Sequence, residues 1–468
     1  MHATTAADEV AEATLGDRRR TKRLRLVTAQ LEAEPAKSFP RVFAQAELEG
    51  FYRFINNPSF SAADILAPHV HATVGRASSA GVVLAVHDTT PVEFDAPRED
   101  LGPTTGQHRF GFIAHATLLI NEQDGMPLGV AHLETLTRSG KKSAQRKQGQ
   151  RNRVQELDES RESLRWLRGV DAIEMSRTGG FEVIHVTDAE GDFFELLVKL
   201  RAHSARFVIR SGQLERTVSQ DDWTGPLRAF VDPIVPQTWR DVELSPRKHP
   251  KGRGTTSRRR HTERAGRVAR LAIGKTRITV GKSKYSNVEA PPFEITVVRA
   301  WEPEPPPGEE PTEWVLLTTE ASSSDADLAR VVDIYRKRWM IEEYFKALKS
   351  GCSLEKRQVE SYDGLCKVLA LFVPIAYRLL LLRGLERIDS NAKATQVFSK
   401  IDLELLARAP ANGRHPPPRT IADALVHLAR LGGHIRNNGR PGWQTLSWGY
   451  EKLLLLRIGW EMATSAKA

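Results

Sequence analysis

What most constrains the fold is a change of texture at residue 81. Before it the chain reads as helix; after it, short continuous apolar runs alternate with helical periods. Residues 82–86 are uniformly apolar, and runs of that length mark strands buried on both faces. Segments 112–120 and 126–136 are strand-like and joined through Asp124-Gly125, a hairpin signal. A helix at 157–167, a strand at 181–186, a helix at 193–200 and a strand at 206–209 follow. A hairpin start needs antiparallel neighbours, whereas strand–helix–strand crossovers need parallel ones, so the order predicts an α/β core with a mixed sheet.

The flanks differ. Residues 1–75 predict helices after Asp17, over 42–55 and again after Ser61, with a break at Asn56-Asn57-Pro58. Residues 212–313 interrupt the core as a β-rich insertion with strands at 267–273, 277–280 and 293–298. Core texture returns at 314–318. Ser322 to Asp325 then supply the cap and first turn of a long helix, with Gly351 as its C′ glycine. The C-terminal third reads as helical: an apolar stretch over 365–385 kinked at Pro374, a linker at 410–418, and a final helical pair.

Composition narrows the function classes. The 468 residues include two Cys, Cys352 and Cys366, too few for a disulfide scaffold or an unaided zinc site. The N-terminus lacks a basic-then-apolar leader, and the most apolar stretch, 368–377, is shorter than the ~20 residues a bilayer span needs. A cytoplasmic protein is expected. Charge is concentrated: segments 138–153, 247–270 and 17–25 carry +7, +9 and +5, which leaves the rest of this +10 chain at −11. Localised basic runs on an acidic remainder point to a polyanion partner.

Two acids then stand out. Asp88 and Asp188 each follow an apolar strand, where a sheet would hold a polar group rigidly at its rim. Such carboxylates suit a hard divalent cation, with a third carboxylate completing the set. In the long helix Tyr335, Arg338, Glu342 and Lys349 recur at i, i+3, i+7 and i+14 and so share one face, while Glu343 is turned about 100° away. Trp339, Ile341, Phe345 and Leu348 form a neighbouring apolar stripe for docking on the sheet.

The spacing Tyr335-x2-Arg338-x3-Glu342-x6-Lys349 resembles the signature of bacterial DDE cut-and-paste transposases of insertion-sequence family four. The likeness extends to Leu15-Gly-Asp-x-Arg19, Tyr52-Arg-Phe-Ile-x-Asn57, Asp88-Thr-Thr90, Arg206-Phe-Val-x-Arg210, Trp314-x-Leu-Leu-Thr318 and Leu431-Gly-Gly433. His87 departs from it, standing where an acid is expected.

That resemblance implies a ribonuclease H-like catalytic domain over 76–362 with its insertion at 212–313. A helical DNA-end recognition domain (1–75) and a helical dimerisation domain (363–468) would flank it. Asp88, Asp188 and Glu342 would be catalytic and hold two Mg2+ ions, with Mn2+ substituting. Arg210, Tyr335, Arg338 and Lys349 would grip phosphates, and Trp314 would stack on a flipped base. Arg18, Arg19, Arg20, Lys22 and Arg23 would contact the inverted-repeat ends, and a homodimer would pair two ends. Two other readings fit the same residues: a non-catalytic DNA-binding regulator, or a nuclease of this core that cuts without strand transfer.

Overall fold

The computed structural model describes residues 5–465 apart from 96, 97, 99, 105–108, 139–161, 178, 179, 245–263, 284, 285, 389, 390, 392, 410, 412, 414, 415, 436–440 and 442. Beyond Arg138, the 138–153 basic run lies outside the described residues; so does the 247–270 run up to residue 263. By compactness the chain forms two units. The first comprises the described residues of Met1–Gln145, Asp171–Glu182 and Trp339–Ala468; the second comprises those of Arg146–Val170 and Val183–Arg338.

Five helices open the chain: α1 (Ala6–Glu9), α2 (Arg18–Ala33), α3 (Phe39–Val42), α4 (Gln45–Ile55) and α5 (Ala62–Ser78). Their starts follow the capping chemistry of the sequence. Asp17 accepts the Arg19 amide at 2.8 Å, and Ser61 and Asp64 form a reciprocal capping box. Four strands follow: β1 (Val82–Phe94), β2 (Gly102–Pro103), β3 (Phe110–Asn121) and β4 (Pro127–Leu136), in which β3 pairs antiparallel with β1, β2 and β4. The expected hairpin joins β3 to β4, with Gly125 at φ +73° and Asp124 accepting the Met126 amide at 2.9 Å.

Strand β1 corrects one expectation. It does not end at Asp88 but runs six residues further to Phe94. The continuous apolar run stops at Val86, yet Thr90, Val92 and Phe94 remain buried on alternate positions and keep pairing with β3.

Four elements come next: α6 (Leu164–Ser176), β5 (Glu182–Thr187), α7 (Phe194–Ala202) and β6 (Arg206–Arg210). The helix expected at 157–167 is displaced to α6; its first residues lie outside the described ones. Strands β5 and β6 pair in parallel, the crossover arrangement the sequence implied. The insertion contributes β7 (Thr217–Gln220), β8 (Trp223–Pro226), α8 (Leu227–Val231), β9 (Thr238–Leu244), β10 (Arg267–Val280) and β11 (Phe293–Trp301), and β12 (Glu313–Thr318) returns to pair with β6. Rather than forming a separate module, the insertion extends the sheet in the order β5-β6-β12-β11-β10-β7-β8, with β9 on β10. The two strands expected at 267–273 and 277–280 are one, β10. Trp166, Leu197, Phe207, Ile209, Val297 and Leu317 form the core of one face.

The single long helix expected before Gly351 is interrupted. It forms α9 (Asp325–Lys337) and α10 (Trp339–Lys346), separated by Arg338, and closes in a π-turn over Ala347–Gly351. Gly351 is not the left-handed terminator; Ser353 takes that conformation at φ +50°. The remaining helices are α11 (Tyr362–Ile388), which includes Pro374, α12 (Lys400–Arg408), α13 (Ile421–Leu431) and α14 (Trp443–Ser465). The expected final pair is thus a single helix, α14, preceded by α13. Helix α11 contains a 21-residue stretch, Tyr362–Leu382, that is apolar enough to cross a membrane, contrary to the shorter stretch expected, but 89% of its most apolar window is buried inside the protein.

A buried polar network joins α1, α5 and β4 within the first unit. His69 Nε2 accepts the Val130 amide at 3.1 Å, so its proton is on Nδ1, which donates to Glu9 at 2.7 Å; the ring is neutral. Arg76 donates to Glu9 at 2.7 and 3.2 Å and to the Leu128 carbonyl at 2.6 Å. Burial by itself would raise the Glu9 carboxyl, but the His69 and Arg76 contacts outweigh it and pull it from 4.5 to about 2. Burial also holds His69 below its ordinary 6.5.

Both shifts give the same sign. A depressed folded value means stability is present above the unfolded value and lost as pH falls toward the folded one. Stability therefore begins to decline below pH 6.5 through His69 and falls faster below 4.5 through Glu9. The Glu9 part amounts to about 3 kcal/mol by linkage. Urea midpoints measured between pH 7 and 3 check this. Glu9→Gln is expected to flatten the acid limb, and an unchanged limb would show that the network is not its origin.

Candidate active site

Each expected acid has a distinct local support. Asp88, half-buried in β1 opposite Ala116, accepts its neighbour's Thr89 amide at 2.7 Å through Oδ1. Asp188 directly follows β5 and caps the short 3-10 turn Ala189–Gly191 by accepting the Glu190 amide at 2.9 Å. It is therefore an N-cap as well as a strand-end acid. Glu342 lies half-buried on α10, which packs against β1 within the first unit. Its neighbour Glu343 is buried and paired with Lys346 at 2.8 Å, so the two glutamates separate as their 100° offset implied. Among the described residues no three His, Cys, Asp or Glu side chains are gathered into a metal cage. The fit of a divalent ion to these acids therefore rests on donor chemistry: they are hard oxygen donors on strand and helix frames.

A second group assembles inside the second unit, which also holds Asp188. The Trp314 ring in β12 meets the Tyr335 ring of α9 with centroids 5.4 Å apart at 63°, and the Arg338 guanidinium lies 5.8 Å from the Tyr335 centroid. Arg210 ends β6 opposite Leu316, two residues beyond Trp314, so Arg210 and Trp314 project from the same face of the sheet. Arg210 is exposed, Trp314 half-buried and Tyr335 only 5% exposed.

The expected common stripe of Tyr335, Arg338, Glu342 and Lys349 does not survive as one regular face. The break at Arg338 and the π-turn change the helical phase, and Tyr335 turns inward. Lys349, on the π-turn, pairs with Glu355 at 3.1 Å and donates to the Pro91 carbonyl. Trp339, expected in the docking stripe, is 41% exposed with the Lys346 ammonium over its ring at 4.6 Å, whereas Ile341, Phe345 and Leu348 are buried as expected.

Near the N-terminus, Arg18, Arg19, Lys22 and Arg23 are exposed on α2. Arg20 differs, being half-buried and donating to the Leu15 carbonyl at 3.0 Å.

Residues 2–60 match a family model described as transposase DNA-binding, and residues 83–371, more than half of the chain, match one described as transposase DDE domain. The chain belongs to the DDE transposase family. This transposase is therefore a DNA-binding enzyme with a mixed α/β core, from a family that generally uses divalent metal ions.

Two further acids brace the second unit. Asp192, close enough to Asp188 in sequence to be confused with it in a metal assay, is 1% exposed, accepts from Ser211, Gly212 and Gln213 and pairs with Arg216. Glu320 holds Arg206 at the start of β6 and Arg330 on α9, at 2.6 and 2.8 Å, and so fixes α9 to the sheet. Neither had a sequence signal beyond being an acid near a strand end.

Proposed function

We propose that this transposase is a cut-and-paste enzyme similar to those of insertion-sequence family four, acting on the inverted-repeat ends of its element. The observation that carries the reading is the grouping of Trp314, Tyr335, Arg338 and Arg210 on one side of a mixed sheet. Simple hydrolysis needs no aromatic platform, whereas a hairpinned end requires a base taken out of the stack and held. Trp314 offers the stacking surface, and Arg210, Arg338 and Lys349 offer cations for backbone phosphates.

Asp88, Asp188 and Glu342 would hold two Mg2+ ions, with Mn2+ as a substitute. Bound there, such ions lower the pKa of an attacking water or 3′-hydroxyl and stabilise the leaving oxygen of an in-line displacement. The chain's own residues do the rest. Arg210 and Arg338 hold the phosphate while Tyr335, packed on Trp314, keeps the indole in place. Lys349 must exchange its Glu355 contact for a phosphate oxygen.

The exposed cations of α2 support end recognition by residues 1–75, with 76–362 as the ribonuclease H-like domain and 363–468 as the dimerisation region. Trp448, Leu455 and Met462 of α14 lie seven residues apart and are 42%, 45% and 70% exposed, which supports helix pairing between two copies. Cytoplasmic action at the nucleoid follows from this reading.

The test uses duplex DNA from the flanks of the gene, end-labelled and incubated with the full chain and Mg2+. Hairpin-sized products followed by joined products are expected. Linear cut ends alone would identify a nuclease, and specific binding without cutting a regulator. Trp314→Ala is expected to reduce hairpin product about 10- to 100-fold while sparing the first nick, the range for losing one base–aromatic stack. Trp314→Phe should recover part of it. Equal hairpin yield from Trp314→Ala would remove the stacking role.

A further inference from the structure

We infer that Asp192 is a positioning residue, which sets Asp188 and Arg210 in a common frame by fastening together the two chain segments that carry them. This rests on the reading above, in which Asp188 holds metal and Arg210 holds phosphate.

The geometry lies wholly within the second unit. Parallel strands β5 and β6 end side by side, with Thr187 level with Ile209, so Asp188 emerges beside Arg210. The β5–β6 ladder ends at that pair: Asp188 enters a 3-10 turn and the Ser211 amide bonds to Val315 of β12, so strand pairing does not hold the two exits to each other. Asp192 supplies that link. Its Oδ2 accepts the Ser211 hydroxyl at 2.7 Å and the Gly212 and Gln213 amides at 2.9 and 3.0 Å. Its Oδ1 pairs with Arg216 at 2.6 Å, and its own carbonyl accepts Gln213 Nε2 at 2.5 Å and Arg216 at 3.2 Å.

One side chain thus ties the turn that begins at Asp188 to the three residues that follow Arg210. Close packing reinforces it. A Cβ on Gly212 would lie 2.9 Å from the Ala189 Cβ, so only glycine lets the second loop rest on the residue after Asp188.

A carboxylate this buried persists only because it is surrounded by donors, and no shorter or neutral side chain satisfies all of them. With Asn, an amide NH2 would face either the Arg216 guanidinium or the backbone N–H groups. The loops would then separate by fractions of an ångström, without loss of the strands. That displacement matters for metal binding, where outer partners of a ligand commonly control affinity about 10- to 100-fold.

The experiment measures Mn2+ binding directly, from the electron paramagnetic resonance signal of the free ion. It uses the full chain with the flanking duplex present. Wild type, Asp188→Asn, Asp192→Asn, the milder Ser211→Ala and the stability control Arg206→Met are compared, with each melting temperature recorded. Asp192→Asn is expected to weaken Mn2+ binding about 10- to 100-fold, and Ser211→Ala by a smaller factor in the same direction. Arg206→Met should lower the melting temperature while leaving Mn2+ binding unchanged. If Asp192→Asn and Ser211→Ala lose only melting temperature and bind Mn2+ as wild type does, Asp192 is purely structural and the inference fails. If Asp188→Asn itself binds Mn2+ as wild type does, the assignment of Asp188 fails instead, and the positioning role goes with it.

Discussion

Glu342→Gln is expected to slow cleavage of end DNA at least ~10³-fold while binding of the same duplex stays within about threefold. The size follows from what the carboxylate would supply. Metal-assisted displacement at phosphorus is worth several kcal/mol of charge stabilisation, and each 1.36 kcal/mol is about tenfold in rate. Binding, in contrast, is dominated by cations on the phosphate backbone, and Glu342 contributes none.

The adjacent Glu343 makes the test sharp. It is buried and paired with Lys346, so Glu343→Gln should cost stability of about 1–3 kcal/mol and leave the rate per folded molecule nearly intact. Asp88→Asn should behave as Glu342→Gln does. Cleavage that survives Glu342→Gln but not Glu343→Gln, in folded protein, would transfer the role to the neighbour.

The second large effect concerns the fold. Arg357→Met is expected to lower unfolding free energy by about 4 kcal/mol, read from urea titrations at neutral pH. Arg357 is 2% exposed, and among the described residues its hydrogen bonds go to backbone carbonyls. Its guanidinium donates to the Lys37, Pro35 and Cys352 carbonyls, and lies 5.0 Å from the Phe39 ring and 4.7 Å from that of Phe372. Burial pushes its pKa down to about 10, so it remains charged at neutral pH.

Methionine would fill the space between the rings but orphan three carbonyls, each worth about 1–3 kcal/mol when left unsatisfied, offset in part by relief of the buried charge. Arg357→Lys should recover only a fraction, because an ammonium cannot present a planar fork to separate carbonyls. A loss below about 1 kcal/mol would show that the site relaxes freely. Lys367 does similar work nearby, donating to the Asn57 carbonyl at 2.7 Å from a fully buried position on α11. Arg357 and Lys367 thus tie backbone carbonyls of the N-terminal segment to the region around α11.

Local rules made much of this legible. Caps at Asp17, Ser61 and Ser324, the Asp124-Gly125 hairpin and the apolar runs located most core elements within a few residues. Helical arithmetic separated Glu342 from Glu343. Where expectations failed, a non-local contact had overridden a local pattern. Pairing with β3 carried β1 past Asp88, and pairing across the insertion merged two short strands into β10. The docking of α9 sets Tyr335 against Trp314, and past the interruption at Arg338 Trp339 is 41% exposed.

Readable along the chain alone were the succession of helical, α/β, β-rich and helical regions, the acids near strand ends, and the spacing that marks the family. All of these are properties of neighbours along the chain. Tertiary structure decided which acid near β5 is buried as a fastener and which remains a candidate ligand. Asp188 and Asp192 are the same residue type four positions apart, and only the loop after β6, distant in sequence, tells them apart. Burial and hydrogen bonding are set by whatever part of the chain arrives from elsewhere, and no local pattern encodes that arrival.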